Sequence, residues 1–190
     1  MIFLSIRFCS ILALLLILAP VKLAYSQTTQ EQALIETQKT VALINYVQKN
    51  TYLQKVADQA FAEISQGIIV AQKSNNNQLR EMLNKRNEEI FDAVMEELKN
   101  FDVPEELVSY HMKIIDVYTF RKLANEALLN NNVESSRKLF YQSAMSHIRA
   151  LDEFKVILMA HNVPDDVIRG IEETILKERQ SLRESGLSGR

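Results

Sequence analysis

Apolar residues recur at steps of three and four along most of this chain, a spacing that predicts amphipathic helices. No run alternates apolar and polar residues between turn residues, so no strand is predicted. The helices predicted from these stripes cover residues 51–72, 78–101, 104–129, 133–160 and 165–183. In the first of them the apolar stripe consists of Leu53, Val56, Ala57, Ala60, Ile64, Ile68 and Ala71. Each helix must bury one face against a neighbour.

The segment 29–49 has a weaker stripe, formed by Leu34, Val41, Ile44 and Val47. It can run directly into the next helix, because the intervening residues include no glycine or proline. Thr51 and Gln54 have the spacing of a capping box, however, and such a box starts a new helix. We expect a break or kink at this point.

Two similar peptides lie sixty positions apart, NFDVPEELVSYH at 100–111 and AHNVPDDVIRGI at 160–171. A cap residue, a proline and acidic residues are the usual first turn of a helix. The spacing predicts Asp102 and Asn162 as the caps. Because a residue before proline is biased away from the α region, Val103 and Val163 are the alternative caps.

A run of asparagines precedes each of these helix starts, at 75–77 and at 130–132. Asparagine tolerates the left-handed backbone that a tight helix reversal requires. Short connections make successive helices antiparallel neighbours. The sequence therefore predicts an all-α, elongated, up-and-down antiparallel helical bundle built from tandem helical hairpins; gene duplication is one origin of such a pattern.

The segment 124–144 is similar to part of a tetratricopeptide unit at Ala124, Leu128, Phe140 and Ala144. It departs from that pattern at Ser136, where a small core alanine is expected, and it has neither the turn glycine nor the final proline. The internal spacing of about 60 residues also differs from the 34 of that repeat. The sequence therefore does not define a member of this family.

The first 26 residues have the pattern of a cleaved signal peptide. Arg7 precedes the apolar run 8–19, and Ala24 and Ser26 provide a small-x-small cleavage site. We expect cleavage before Gln27, a single helical-bundle domain over 27–183, and a disordered tail at 184–190. An uncleaved signal anchor is the alternative, although the apolar run is shorter than the roughly 20 residues that span a bilayer.

Cleavage would remove Cys9, the only cysteine, so that the mature chain could form no disulfide. A secreted domain without disulfides favours the periplasm of a Gram-negative bacterium as the location. Loss of Arg7 and Lys22 would leave 20 basic and 24 acidic residues, a net charge of −4. No basic block is present, so we expect no nucleic-acid partner.

Cofactor motifs are missing from the sequence. A ferritin-like carboxylate site needs glutamate three residues before a histidine. The residues at that position before His111, His147 and His161 are Val108, Ala144 and Leu158. Covalent haem needs C-x-x-C-H, which is absent. Non-covalent haem or a metal held by His111 or His147 with a core methionine remains an alternative, but we expect no resident cofactor and no metal site.

Catalytic motifs are missing as well, including G-x-S-x-G and H-E-x-x-H. The acidic residues Glu88, Glu89, Asp92, Glu96 and Glu97 have basic neighbours and are typical of a solvated face. Arg86 and Asn87 interrupt an apolar stripe, and Arg121 lies in register with Val117 and Ala124. Extension of the long side chains to water is the ordinary explanation of these polar residues, and a polar crevice, a bundle end or an interface is the alternative.

The sequence thus predicts an exported, non-enzymatic helical bundle that acts through contacts with a protein or an envelope component. It predicts no catalytic residue, no cofactor-binding residue and no transmembrane segment after signal cleavage. The oligomeric state is left open.

Overall fold

The computed structural model describes residues 27–161 and 165–184, with side chains from residue 32 onward. These residues form helices joined by turns and contain no strand. The helices are α1 (Gln27–Lys73), α2 (Asn77–Lys99), α3 (Val108–Leu129), α4 (Val133–Ala160) and α5 (Asp165–Glu184). The predicted signal peptide and the tail residues 185–190 lie outside the described residues.

Helix α1 is continuous over 47 residues, so the predicted break near Thr51 is wrong. The Gln54 side chain donates a hydrogen bond to the Tyr110 hydroxyl and lies inside the continuous helix. Packing divides the chain into two units, Met1–Gln48 and Lys49–Arg190. In the first unit every residue from 32 to 42 is exposed, whereas Leu43 and Tyr46 are buried.

The two asparagine runs form the same turn. Asn75 and Asn131 have φ values of 49° and 59°, in the left-handed region. The following asparagines, Asn76 and Asn132, donate their backbone N–H groups to carbonyl oxygens five residues earlier, which closes the preceding helix. Their side chains also cap the next helix by accepting from the N–H groups three residues later, at 2.9 and 3.1 Å. The predicted role of both runs is confirmed.

The first Val-Pro peptide starts a helix in a different way from the one predicted. A 3-10 turn at Glu105–Leu107 precedes α3. Pro104, in extended conformation, caps that turn, and Leu107 caps α3. The cap is therefore neither Asp102 nor Val103. Pro104 itself has a non-helical, extended conformation, so the turn begins after it, at Glu105. The second peptide has residues 162–164 outside the described residues.

Side-chain contacts within the unit Lys49–Arg190 fix the helix directions. Helix α2 runs antiparallel to α3, since Arg80 reaches the Leu129 carbonyl while Phe101 lies beside His111. Lys113 pairs with Glu153 across the antiparallel α3 and α4. From Asn50 onward α1 runs parallel to α3, because Asn50 contacts Tyr110 and Gln72 contacts Asn131. An up-and-down order of helices requires this direction. The predicted all-α bundle of tandem hairpins is confirmed for the described residues.

Helices α3 and α4 are packed against each other by small residues. Ser136, Ser143 and Ala150 follow one another at seven-residue steps on α4, and each is at most 3% exposed. Ser143 Oγ donates to the Val117 carbonyl oxygen of α3 at 3.0 Å. A side chain this short reaches a neighbouring backbone only where two helices lie close together.

The end of the bundle near the first turn has an apolar cluster drawn from three helices. Gly67 of α1 lies where a Cβ atom would meet the Leu83 side chain at 2.9 Å, so the two helices are close there. The buried members of the cluster are Ile64, Ile68, Ala71, Leu83 and Leu129.

Candidate functional site

Polar side chains join α1 to α3 along the length of their contact. We call these residues the polar seam: Asn50, Gln54, Asp58, Ser65 and Gln72 on α1, and Tyr110, Arg121, Asn125 and Asn131 on or just after α3. The α1 members recur at steps of four and seven, the spacing of one helix face. On that face the polar groups alternate with buried Phe61 and Ile68, of which only Ile68 belongs to the predicted apolar stripe.

Tyr110 forms the first contact of the polar seam. Its hydroxyl accepts hydrogen bonds from Asn50 Nδ2 at 2.8 Å and from Gln54 Nε2 at 3.1 Å. Burial raises the pKa of Tyr110 to about 12, although these two hydrogen bonds act in the opposite direction. The hydroxyl is therefore neutral at physiological pH and serves as a fixed acceptor.

Arg121 occupies the middle of the polar seam, where it pairs with Asp58 and lies over the Tyr118 ring at 5.5 Å. Burial is the largest single effect and opposes the charge, but the attractions to Asp58, Tyr118 and Glu178 together outweigh it and raise the pKa of Arg121. Burial and the Asp58 carboxylate also raise the pKa of Tyr118. The interruption predicted at Arg121 is thus a helix-to-helix ion pair, with Tyr118 stacked on Phe61 beneath it.

Asn125 and Asn87 continue the polar contacts into α2. Asn125 Nδ2 donates to Asn87 Oδ1 at 3.0 Å, and Asn87 Nδ2 donates to the Lys122 carbonyl oxygen at 3.2 Å. Ser65 Oγ lies 2.7 Å from Asn125 Oδ1. We call Ser65, Asn125 and Asn87 the amide chain. Both asparagines are completely buried, while the neighbouring Arg86 is exposed, so only Asn87 of that predicted pair is an internal polar group.

His147 of α4 contacts Glu178 of α5. Its Nδ1 atom is 2.6 Å from Glu178 Oε1. Two ion pairs join the same helices, Lys155 with Glu172 and Arg179 with Asp152. The Glu178 charge also acts on Arg121. The histidine therefore takes part in the attachment of α5.

The other two histidines are likewise engaged. His111 is 8% exposed and lies against Phe101, with ring centroids 6.2 Å apart. Burial lowers the pKa of His111. His161 Nε2 is 2.7 Å from Glu106 Oε2, which joins the end of α4 to the 3-10 turn. The structure thus gives each histidine a neighbour within the protein.

A metal-binding cluster is another kind of functional site that a helical bundle can contain. In the residues that the structure describes, no group of three or more histidine, cysteine, aspartate or glutamate side chains could hold a metal ion. The acidic residues of α2 are all exposed, and Glu89 pairs with Lys85 and Arg86. They form the solvated face that the sequence indicates.

The polar seam joins helices through paired polar groups, although Asn50 Oδ1 is buried without a hydrogen-bond partner among the described residues. Its hydrogen bonds run between side chains or from side chain to backbone, at positions spread along α1 and α3. Such an arrangement fixes one helix against another and concentrates no set of reactive groups at one point. The polar seam therefore holds α1 against α3 by hydrogen bonds and an ion pair.

Comparison of the chain with protein-family models, with curated proteins and with solved structures finds no match.

Proposed function

We propose that the protein is an exported, non-enzymatic helical bundle that works by contact with another protein or with a component of the cell envelope. The export part of the proposal is supported by the pattern of residues 1–26, with its apolar run and its small-x-small site before Gln27. The periplasm of a Gram-negative bacterium is the proposed location, because the mature chain would contain no cysteine.

Exposed apolar side chains on the first part of α1 carry the contact part of the proposal. Leu34, Ile35 and Val41 are 58%, 45% and 51% exposed, within a stretch where every residue from 32 to 42 is exposed. Leu34 and Val41 are seven residues apart and so lie on one helix face. A helix with apolar residues at this spacing is what a complementary groove recognises.

None of the helices in the described residues is both long enough and apolar enough to cross a membrane.

Native mass spectrometry of the full-length chain, expressed in and recovered from a Gram-negative periplasm, tests the export part. The expected result is a bare mass that begins at Gln27. A mass that retains residues 1–26 contradicts cleavage. Extra mass that matches haem or a metal, and is lost on replacing His111 or His147, contradicts the proposal of a bundle without a cofactor. It favours a cofactor-carrying bundle.

Site-specific photocrosslinking in the native compartment tests the contact part. A photoreactive residue at Leu34 or Val41 is expected to give a discrete adduct, and the same residue at the exposed polar position Gln59 is the matched control on the same helix. Adding Leu34→Glu to the Val41 probe should abolish the adduct. Adducts of equal strength at all three positions, or an adduct unaffected by Leu34→Glu, contradict contact through this face.

A further inference from the structure

Each side-chain amide oxygen and nitrogen of the amide chain has at least one hydrogen-bond partner. Asn87 Oδ1 accepts from Asn125, Asn87 Nδ2 donates to the Lys122 carbonyl, and Asn125 Oδ1 accepts from Ser65. Both amides are completely buried. The three side chains come from α1, α2 and α3, so one set of hydrogen bonds links three helices at a single level.

Apolar packing alone discriminates poorly between neighbouring registers of these helices. A stripe with a period of three to four residues presents a similar surface after a slide of one turn. The surrounding cluster consists mainly of leucine and isoleucine, which are similar in volume. A slide of α2 by one turn would therefore retain much of the apolar contact.

The same slide is costly for the amides. It would move Asn87 away from both Asn125 and the Lys122 carbonyl, and each amide would then be buried without its partner. A buried polar group that loses its hydrogen bond carries the full cost of its desolvation. Buried asparagines at apolar positions are known to specify register in helical assemblies.

We propose that the amide chain of Ser65, Asn125 and Asn87 is a register lock, which selects one longitudinal position of α2 against α3 among several that the apolar residues would accept. This device is independent of what the protein contacts. It explains why two asparagines occupy completely buried positions in a helix interior, where they are poor helix formers.

Spin-label distances test the proposal. Nitroxide labels at Met82→Cys on α2 and Met112→Cys on α3, in the full chain carrying Cys9→Ser, lie near opposite ends of the helix pair. Both positions are more than half exposed. A one-turn slide changes their separation along the axis by about 5.4 Å. The lock is removed by Asn87→Val with Asn125→Val, after which the Ser65 hydroxyl still has the Phe61 carbonyl oxygen at 2.9 Å.

The intact amide chain should give a single distance maximum, and the double valine variant should give a second maximum displaced by about one helical turn. Asn84→Val, at an exposed asparagine of the same helix, is the control and should keep the single maximum. A single, unshifted maximum in the folded double variant overturns the proposal. If the valine variant does not fold, Asn87→Ala with Asn125→Ala, which adds no volume, is measured in the same way and decided by the same two outcomes.

Discussion

Helix α3 is buried on two sides by opposite means. Toward α1 it presents Tyr110, Arg121 and Asn125, each matched to a polar partner at a defined position. Toward α4 the buried residues Ser143 and Ala150 are small and permit a close approach near the middle of the contact. Nearer one end of that contact the Tyr110 ring packs against Phe154. The polar seam depends on which groups face each other, whereas the α3–α4 contact depends at Ser143 and Ala150 on how little space the side chains occupy. The two contacts should therefore fail under different substitutions.

Overpacking of the α3–α4 contact should have the largest effect. Ala150→Leu places three additional carbon atoms at a completely buried position and should lower the free energy of unfolding by about 3 kcal/mol. Denaturation in urea measures this change. Arg149→Leu, at the exposed neighbouring position, is the control and should have little effect. Equal losses from the two variants would show that close approach does not govern this contact.

Alkaline pH should weaken the polar seam through Tyr110. Burial raises the pKa of Tyr110 from its ordinary value of 10.0 to about 12 in the folded protein, so the folded state retains the proton that the unfolded state releases. The stabilisation is complete below pH 10 and is lost as the pH rises through 12, which amounts to about 2–3 kcal/mol. Denaturation at a series of pH values measures it.

Tyr110→Phe is the control for this pH dependence. Tyr118 titrates in both proteins, and because charge on Tyr110 raises the pKa of Tyr118, the difference between the wild type and the variant reports Tyr110 together with its effect on Tyr118. That difference should shrink between pH 10 and 12. A difference that stays constant over this range would contradict a raised pKa for this hydroxyl.

Truncation of a single seam residue should cost less than overpacking. Asn125→Ala leaves the buried Asn87 Oδ1 without its donor and Ser65 without its amide acceptor, and it should destabilise the protein by about 2 kcal/mol. Asn84→Ala, on the exposed face of α2, should change stability far less. Calorimetric or urea unfolding of both variants checks the contrast, which disappears if the amide chain carries no free energy.

Removal of a polar atom from the α3–α4 contact should have the smallest effect. Ser143→Ala deletes the hydrogen bond to the Val117 carbonyl oxygen but keeps the side chain small. That carbonyl keeps its helical partner, so the expected change is about 0.5 kcal/mol or less. A loss as large as that of Asn125→Ala would mean that both sides of α3 rely on hydrogen bonding.

Much of the fold follows from the sequence. The predicted starts and ends of the helices at 133–160 and 165–183 agree with the structure to within a residue or so, because caps and turn residues have local causes. The asparagine turns were predictable for the same reason. The continuity of α1 was not, since Thr51 and Gln54 satisfy the rule for a capping box whether or not a helix starts there.

The polar seam was only partly predictable. Asn87 and Arg121 interrupt apolar stripes and could be singled out, but their partners Asn125 and Asp58 look like ordinary polar residues in the sequence. Val56, which belongs to the predicted apolar stripe of α1, is 49% exposed. Apolar periodicity cannot locate a helix face on which half of the inward groups are polar.

The two asparagine turns have a consequence for how such a chain can change in length. In each turn one asparagine ends a helix and the next begins another, so that every backbone conformation between the two helices is specified locally. The residues of each turn therefore specify the reversal of chain direction at that turn. Insertion or deletion of a whole hairpin would leave the neighbouring turns unaltered, but it would separate the polar groups that pair α1 with α3.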